Sequence, residues 1–220
     1  MKKYIAVAGN IGVGKSTLVE MICQRMGFQP FYEPVTENPY LADFYADMNA
    51  WSFHSQIFFL THRIRLHQQL ILTPGSVIQD RSIYEDAEIF ARNLFLQGKM
   101  DERDYQTYHS LYETLTEFLI PPDLVIYLRA SVPTLVQRIK QRDRFYEQTI
   151  PDDYLEQLNI LYESWIDHFT FCPVLMVPAD SLDFVKHPRH LDLIIAKVQE
   201  KLTGKDEVIF YPDEVIQASN

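Results

Sequence analysis

The sequence predicts an α/β fold, a five-stranded parallel sheet flanked by helices. Three observations carry that expectation. Short strand-like runs at residues 4–8, 76–80, 124–128 and 174–177 alternate with stretches of helical periodicity. A glycine-rich turn joins the first run directly to the first helix. The chain of 220 residues, 47% hydrophobic and 23% charged, has the length and composition of one globular domain with a sizeable core.

The elements follow in order. Residues 4–8 read as a buried parallel strand, and residues 17–22 begin an amphipathic helix. Residues 29–33 form a second strand ending in Glu33, and Pro34 and Pro39 bracket an irregular turn. A short helix covers residues 41–48, with a break near Asn49. A long helix then spans 51–72, with Ile57, Leu60 and Ile64 on one stripe, until Pro74-Gly75 stops it. The third strand, 76–80, again ends in an acid, Asp80. Ser82 can cap the next helix, which runs to about Leu96.

Asp101 starts a helix on which Tyr108, Leu111, Tyr112, Leu115, Phe118 and Leu119 follow the i, i+3, i+4, i+7 spacing. That stripe reads as packing surface, with a second copy of the chain as a candidate partner. The fourth strand, 124–128, follows the stop at Pro121-Pro122. Ser131 caps a helix carrying Leu135, Val136 and Ile139, and a basic, poorly patterned stretch occupies about 142–150. Pro151 opens a helix through about Phe169, residues 174–177 form the fifth strand, and a final helix lies at about 191–202. A polar tail, about 203–220, closes the chain. With no repeat, low-complexity segment or linker, residues 1–220 read as one domain.

Bulk properties exclude several functions. A formal net charge of −10 argues against nucleic acid as a partner, since binding a phosphate backbone needs a basic field. Two cysteines, Cys23 and Cys172, are too few and too far apart for a zinc site or a disulfide framework. The first strand begins at once, leaving no room for a signal peptide, and no apolar run approaches the ~18 residues of a membrane span. The expected location is the cytoplasm, with no membrane partner.

The chemistry centres on Gly9-Asn10-Ile11-Gly12-Val13-Gly14-Lys15-Ser16, a full match to G-x-x-x-x-G-K-[ST] between a strand and a helix. Glycines let such a loop turn sharply and bring its N–H groups close to an anion, and the helix N-terminus that follows at Thr17 favours negative charge. Lys15 is expected on the outer phosphates of a nucleoside triphosphate and the Ser16 hydroxyl on Mg²⁺. The alternative, a glycine-rich turn without function, does not account for the full pattern in its strand-turn-helix context.

In open α/β sheets ligands lie beyond the carboxyl ends of the strands, where Glu33 and Asp80 both fall. Phosphoryl transfer needs a proton acceptor and a metal ligand, and two such carboxylates can divide those tasks. Arg138 and Arg142 share a helix face and Arg144 lies just past it, a set suited to stabilising phosphate oxygens under an arginine-rich lid. The bland reading is a solvated basic helix end. Gln56 with Arg63, and Asp86 with Phe90, fall on shared faces and offer a purine base its edge bonds and a stacking ring. From spacing alone, a structural Arg63–Asp86 ion pair is at least as good a reading. These residues describe a P-loop phosphotransferase whose acceptor is open.

Taken together, they resemble the deoxynucleoside kinase family, over nearly the whole chain. The resemblance rests on Gly9 to Thr17, Glu33-Pro34-Val35, the Gln56 to Arg63 helix, Asp80-Arg81-Ser82, and Arg138 through Arg142 and Arg144 to Glu147. It implies a P-loop kinase fold, ATP as donor, Mg²⁺, and a small deoxynucleoside as partner. It implies Glu33 as the base at the nucleoside 5′-hydroxyl, with Arg81 contacting the same group, and Asp80 serving the metal. Tyr45 and Glu147 match the pair that holds the sugar 3′-hydroxyl, Gln56 the amide reading the base edge and Phe90 the ring stacking on it. Arg138, Arg142 and Arg144 match the lid arginines, and the loop around 179–182 lies where relatives hold the donor's adenine. The Arg63/Asp86 pair is kept by relatives that take deoxycytidine or purine deoxynucleosides. The segment Glu33 to Tyr40 looks most like the bacterial deoxyadenosine/deoxyguanosine kinases, which favours deoxyadenosine. Asn38 departs from the tryptophan of eukaryotic members, with Tyr40 as its candidate substitute. Relatives are dimers built from long helices, so a homodimer is expected. The rival reading is a nucleoside monophosphate kinase of the thymidylate type.

Overall fold

The computed structural model describes residues 2–32, 37–142, 150–205 and 208–219, and of Arg142 the backbone alone. Among them, five parallel strands, β1 (Tyr4–Gly9), β2 (Gln29–Phe31), β3 (Val77–Asp80), β4 (Leu124–Arg129) and β5 (Val174–Pro178), form one sheet in the order β2-β3-β1-β4-β5. Central β1 pairs with β3 from Tyr4 and Val77 to Val7 and Asp80, and with β4 from Ile5 and Leu124 to Gly9 and Leu128. Every residue of β1 and β3 is buried, which is why β1 reads as an unbroken apolar run and not as an alternation, while β3 buries the polar Gln79 and Asp80 after Val77 and Ile78.

Both faces of the sheet are covered by helices. Ile5 and Val7 point to one face, with Leu18 and Ile22 of α1 (Lys15–Met26), Leu135 and Ile139 of α7 (Val132–Arg142), and Ile194 and Val198 of α9 (Pro188–Leu202). Tyr4, Ala6 and Ala8 point to the other, with Leu70 of α3 (Met48–Leu72) and Leu158 and Tyr162 of α8 (Asp152–His168). The period of two along β1 sorts its residues between these layers. The chain leaves β1 toward the β2 edge and β4 toward the β5 edge, so a crevice opens outside the carboxyl ends beside β1.

Four local features differ from the sequence expectation. The break between α2 (Leu41–Ala46) and α3 falls at Asp47, not near Asn49, because the Asp47 carboxylate caps α3 by accepting from Asn49 N (3.1 Å) and Ala50 N (3.2 Å). The helix after Ser82 is not regular. A short α4 (Ile83–Glu85) leads into a π-helical segment (Asp86–Ala91) and then α5 (Arg92–Leu96). Asp86, Ala87, Ile89, Phe90 and Ala91 are all buried there, a wider inward face than the i, i+3, i+4 stripe of a regular helix.

The stripe on α6 (Glu102–Thr116) divides in two. Tyr108 and Tyr112 are buried within the same chain beside Leu60, Ile83 and Ala87, whereas Leu111 and Phe118 are 42% and 80% exposed. The stretch read as a polar tail carries a further helix, α10 (Pro212–Ser219), that packs back onto α9. Val208 is buried, Phe210 and Val215 lie against the core, and Lys197 Nζ meets Glu214 Oε1 at 3.0 Å. No helix among the described residues is long and apolar enough to cross a membrane.

Candidate active site

The phosphate loop leaves β1 at Gly9 and enters α1 at Lys15, as the strand-turn-helix pattern requires. Two of its glycines are forced by their surroundings. At Gly9 (φ +145°) an added Cβ would lie 2.7 Å from Leu128 O, and at Gly12 (φ +80°) it would lie 2.6 Å from Ile139 Cγ1 on α7. Neighbouring strand and helix therefore close tightly on the loop backbone. Asn10 is fastened to α8: its Nδ2 donates to Leu155 O (2.9 Å) and Asn159 Oδ1 (2.7 Å), while its Oδ1 accepts from Ile11 N. Lys15 folds back, with Nζ donating to Gly9 O (2.8 Å) and Asn10 O (3.0 Å). Beside the loop, Gly12, Val13, Gly14, Lys15, Ser16 and Thr17 line a cavity of about 350 Å³ together with Arg138, Gln141 and the segment 182–186.

At the end of β3, Asp80 meets this loop. Ser16 Oγ donates to Asp80 Oδ2 at 2.5 Å across 64 residues of sequence. The other carboxylate oxygen, Oδ1, is buried with no hydrogen-bond partner among the described residues. A hydroxyl and a carboxylate with an unused oxygen, next to a polyphosphate cradle, are the hard oxygen donors that Mg²⁺ takes, so the residues fit that ion.

Arg81 follows in a left-handed conformation (φ +65°), the one described non-glycine residue with positive φ. Its N–H donates to Val7 O (3.0 Å), and its guanidinium lies over the Phe90 ring, 4.1 Å from the centroid. A base stacking on Phe90 must therefore use the other face of that ring. Arg63, 2% exposed, grips Asp86 with two prongs, Nε to Oδ2 (2.9 Å) and Nη2 to Oδ1 (3.2 Å). Its Nη1 reaches the carbonyls of Asp80 (3.2 Å) and Arg81 (3.0 Å). The ion pair left open by the spacing thus exists, and it also holds the turn after β3. Gln56 is buried two turns earlier on α3.

Arg138 does not stand free over the cavity. Its Nη1 donates to Val13 O (2.7 Å) and its Nη2 to Ala179 O (2.8 Å), so it ties α7 to the phosphate loop and to the segment after β5. Tyr45 lies in α2 with its ring edge-on to Phe44, the centroids 5.2 Å apart. Glu33, Arg144 and Glu147 lie outside the described residues, as does the Arg142 side chain.

The structure adds residues that the sequence analysis passed over. Glu85 is fully buried between the two halves of the site. Its Oε1 accepts from Gly9 N (3.2 Å) and lies 2.8 Å from the Tyr162 hydroxyl, and its Oε2 accepts from Ser82 N (2.9 Å). Burial raises its pKa, opposed by the charges of Arg81 and Lys15. The capping pattern Ser82-x-x-Glu85 was visible in the sequence, but the contact with Gly9 was not. Tyr40 stacks on Trp51 and also meets His54, both ring pairs 5.7 Å apart, while Asn38 Nδ2 donates to Ser55 Oγ.

Comparison with known proteins places the chain among relatives of the same architecture. The family model for deoxynucleoside kinase matches residues 5–203. A deoxyadenosine/deoxycytidine kinase of Bacillus subtilis is 40% identical over 196 residues, covering 88% of this chain and 90% of the relative. A deoxyguanosine kinase of the same organism is 37% identical over 202 residues, covering 90% and 96%. The solved structure of a deoxyadenosine kinase from M. mycoides with bound dATP superposes with a TM-score of 0.80 at 35% identity, covering 90% of this chain and 99% of that one.

Proposed function

The chain belongs to the deoxynucleoside kinase family, and from that membership we propose that it transfers the γ-phosphoryl group of ATP to the 5′-hydroxyl of a purine 2′-deoxynucleoside, deoxyadenosine foremost, to give the 5′-monophosphate. The observation that carries the reading is the Ser16–Asp80–Arg81 continuity. It joins the triphosphate cradle to a strand-end acid and an arginine on the side of the buried Arg63–Asp86 pair.

In this reading the N–H groups of the loop and the Lys15 ammonium hold the donor's phosphates. Ser16 and Asp80 would hold Mg²⁺, which when bound would neutralise charge on the donor's phosphates. Glu33 takes the proton of the acceptor hydroxyl, and Arg81 fixes that hydroxyl. Arg138, Arg142 and Arg144 balance charge on the transferring group. Tyr45 and Glu147 bind the sugar, and Gln56 and Phe90 bind the base. Arg63 and Asp86 shape the base pocket with charge, against which the methyl of thymine is unfavourable. The exposed Leu111 and Phe118 are the part of the α6 stripe left for a second copy to cover in a homodimer.

The test is an acceptor panel of the natural nucleosides and monophosphates with ATP and Mg²⁺. Highest kcat/KM with deoxyadenosine is the expected result. Transfer to monophosphates and not to nucleosides would assign the chain to the monophosphate kinases instead.

A further inference from the structure

Outside the groups given roles above, one buried carboxylate touches both halves of the site. Glu85 sends one oxygen to β1 and the other to the turn after β3. Oε1 receives the Gly9 N–H and lies beside the Tyr162 hydroxyl, and Oε2 receives Ser82 N–H with Ser82 Oγ at 3.4 Å. The Arg81 Nε is 3.9 Å from Oε1. The Gly9 and Ser82 N–H groups and Arg81 Nε carry donor hydrogens, and the two carboxyl oxygens of Glu85 are the acceptors that face them.

What this carboxylate holds is costly to hold. Arg81 is left-handed, a conformation that is strained for a non-glycine residue and persists where its surroundings over-determine it. Its own N–H is bound to Val7 O, and Arg63 Nη1 holds its carbonyl. The next N–H, that of Ser82, is bound by Glu85. Gly9 is held by its N–H to Glu85 and its carbonyl to Lys15 Nζ at 2.8 Å, and the one Tyr162 hydroxyl hydrogen is shared between that carbonyl and Glu85 Oε1, each 2.8 Å away. One side chain therefore clamps the first residue of the phosphate loop to the turn that presents Arg81.

We propose that Glu85 is a positioning residue for phosphoryl transfer, setting Arg81 in register with the phosphate loop so that acceptor and donor meet in line. The proposal rests on the kinase reading above. Its reach is through Arg81 and not through substrate contact, so truncating Arg81 removes what Glu85 has to position.

Glu85→Gln tests it. The amide replaces one acceptor oxygen with an NH₂ that must face a backbone N–H, of Gly9 or of Ser82, at nearly unchanged volume. With the variant folded by circular dichroism, kcat is expected to fall about tenfold or more while the KM of the nucleoside and the Kd of ATP move by less than about threefold. In an Arg81→Ala background the same change should cost less than about threefold. Unchanged kcat in the otherwise native protein, or an equal loss in the Arg81→Ala background, would overturn the proposal. If Glu85→Gln does not fold, Tyr162→Phe takes its place, removing one hydroxyl from the same carboxylate while keeping the ring stacked on Tyr127. A kcat loss of about threefold that vanishes in the Arg81→Ala background supports the proposal, and no loss overturns it. An unsubstituted protein that phosphorylates no nucleoside is a failure of the kinase reading, separate from all of these outcomes.

Discussion

Arg63 and Asp86 meet as a two-pronged pair inside the protein, both nearly fully buried, with the remaining Arg63 nitrogen on the carbonyls of Asp80 and Arg81. The same arginine thus holds both Asp86 and the turn that carries the strand-end acid, and in the proposed mechanism that pair lies in the base pocket. Removing one partner strands the other as a buried charge, which costs about 3–5 kcal/mol. Arg63→Met is therefore expected to lower the denaturation midpoint sharply. Arg63→Met with Asp86→Ala should lose less than the sum of the single changes and should shift acceptor preference from purines toward thymidine. Urea titrations and the acceptor panel check the two halves. Additive stability losses would refute the coupling, and an unchanged preference ranking would refute the role in base choice.

Gly12, like Gly9, is a loop position where a side chain has nowhere to go. An alanine Cβ would meet Ile139 Cγ1 at 2.6 Å and Leu135 O at 3.1 Å, on a backbone with φ +80°. Gly12→Ala is expected to cost about 1–3 kcal/mol and to weaken ATP binding, because α7 must back away from the loop. Calorimetric titration with ATP and a melting curve read both effects. Wild-type values in both would show that the loop and α7 are looser than their contact suggests.

Glu33 is the base in the proposed mechanism, and its removal should separate chemistry from donor binding. Glu33→Gln should lower kcat by about 100-fold or more while ATP affinity stays within a few-fold, since the phosphate cradle is untouched. Stopped-flow turnover alongside ATP titration makes the comparison. Equal turnover would remove Glu33 from the mechanism.

His67 gives the protein an acid-labile contact. Its Nε2 accepts the Ile120 N–H at 3.3 Å, its ring sits edge-on to Tyr4 at 5.9 Å, and burial lowers its pKa below 6.5. A lowered folded-state pKa means that the unfolded chain binds the proton first. The stabilisation is thus complete above the unfolded value and is lost as pH falls through the folded one. Between about pH 7.5 and about pH 5.5 the melting temperature of the native protein should fall more steeply than that of His67→Gln. Parallel slopes would show that His67 does not contribute.

Both cysteines are free and half-buried, and burial pushes the Cys23 thiol up to about 11 and the Cys172 thiol up to about 12. Little thiolate exists at neutral pH, so alkylation of the native protein near pH 8 should run at least about tenfold slower than that of the unfolded chain. Mass spectrometry over time resolves the two sites. Rapid labelling of either in the folded protein contradicts its burial.

Much of the molecule was legible along the chain because it depends on neighbours in sequence. The buried strands announce themselves as apolar runs, the phosphate loop as glycines and a lysine at fixed spacing, and the helix starts at Asp101 and Pro151 as caps. Even the Arg63–Asp86 pair was visible as a possibility, since the periodicity of each helix assigns a face. Where the reading stopped, the missing information was a partner in another element. The π-helical turn at Asp86–Ala91 buries Ala87 and Ala91 as well as the Asp86, Ile89, Phe90 stripe, and nothing in residue order signals that extra width.

The polar composition of the last eighteen residues concealed that Val208, Phe210 and Val215 are enough to bring α10 back onto α9. Arg138 reads along the chain as a phosphate ligand on a helix face, and residue order does not show that its guanidinium also donates to the carbonyls of Val13 and Ala179. Local pattern thus specified the sheet, the phosphate loop and the chemical inventory of the site, because torsional preference and hydrophobic period act over a few residues. The contact of Ser16 with Asp80 and the clamp of Glu85 on Gly9 span 64 and 76 residues. Such meetings are chosen by how the layers pack and by which buried donors each carboxylate must satisfy, and these are properties of the folded chain.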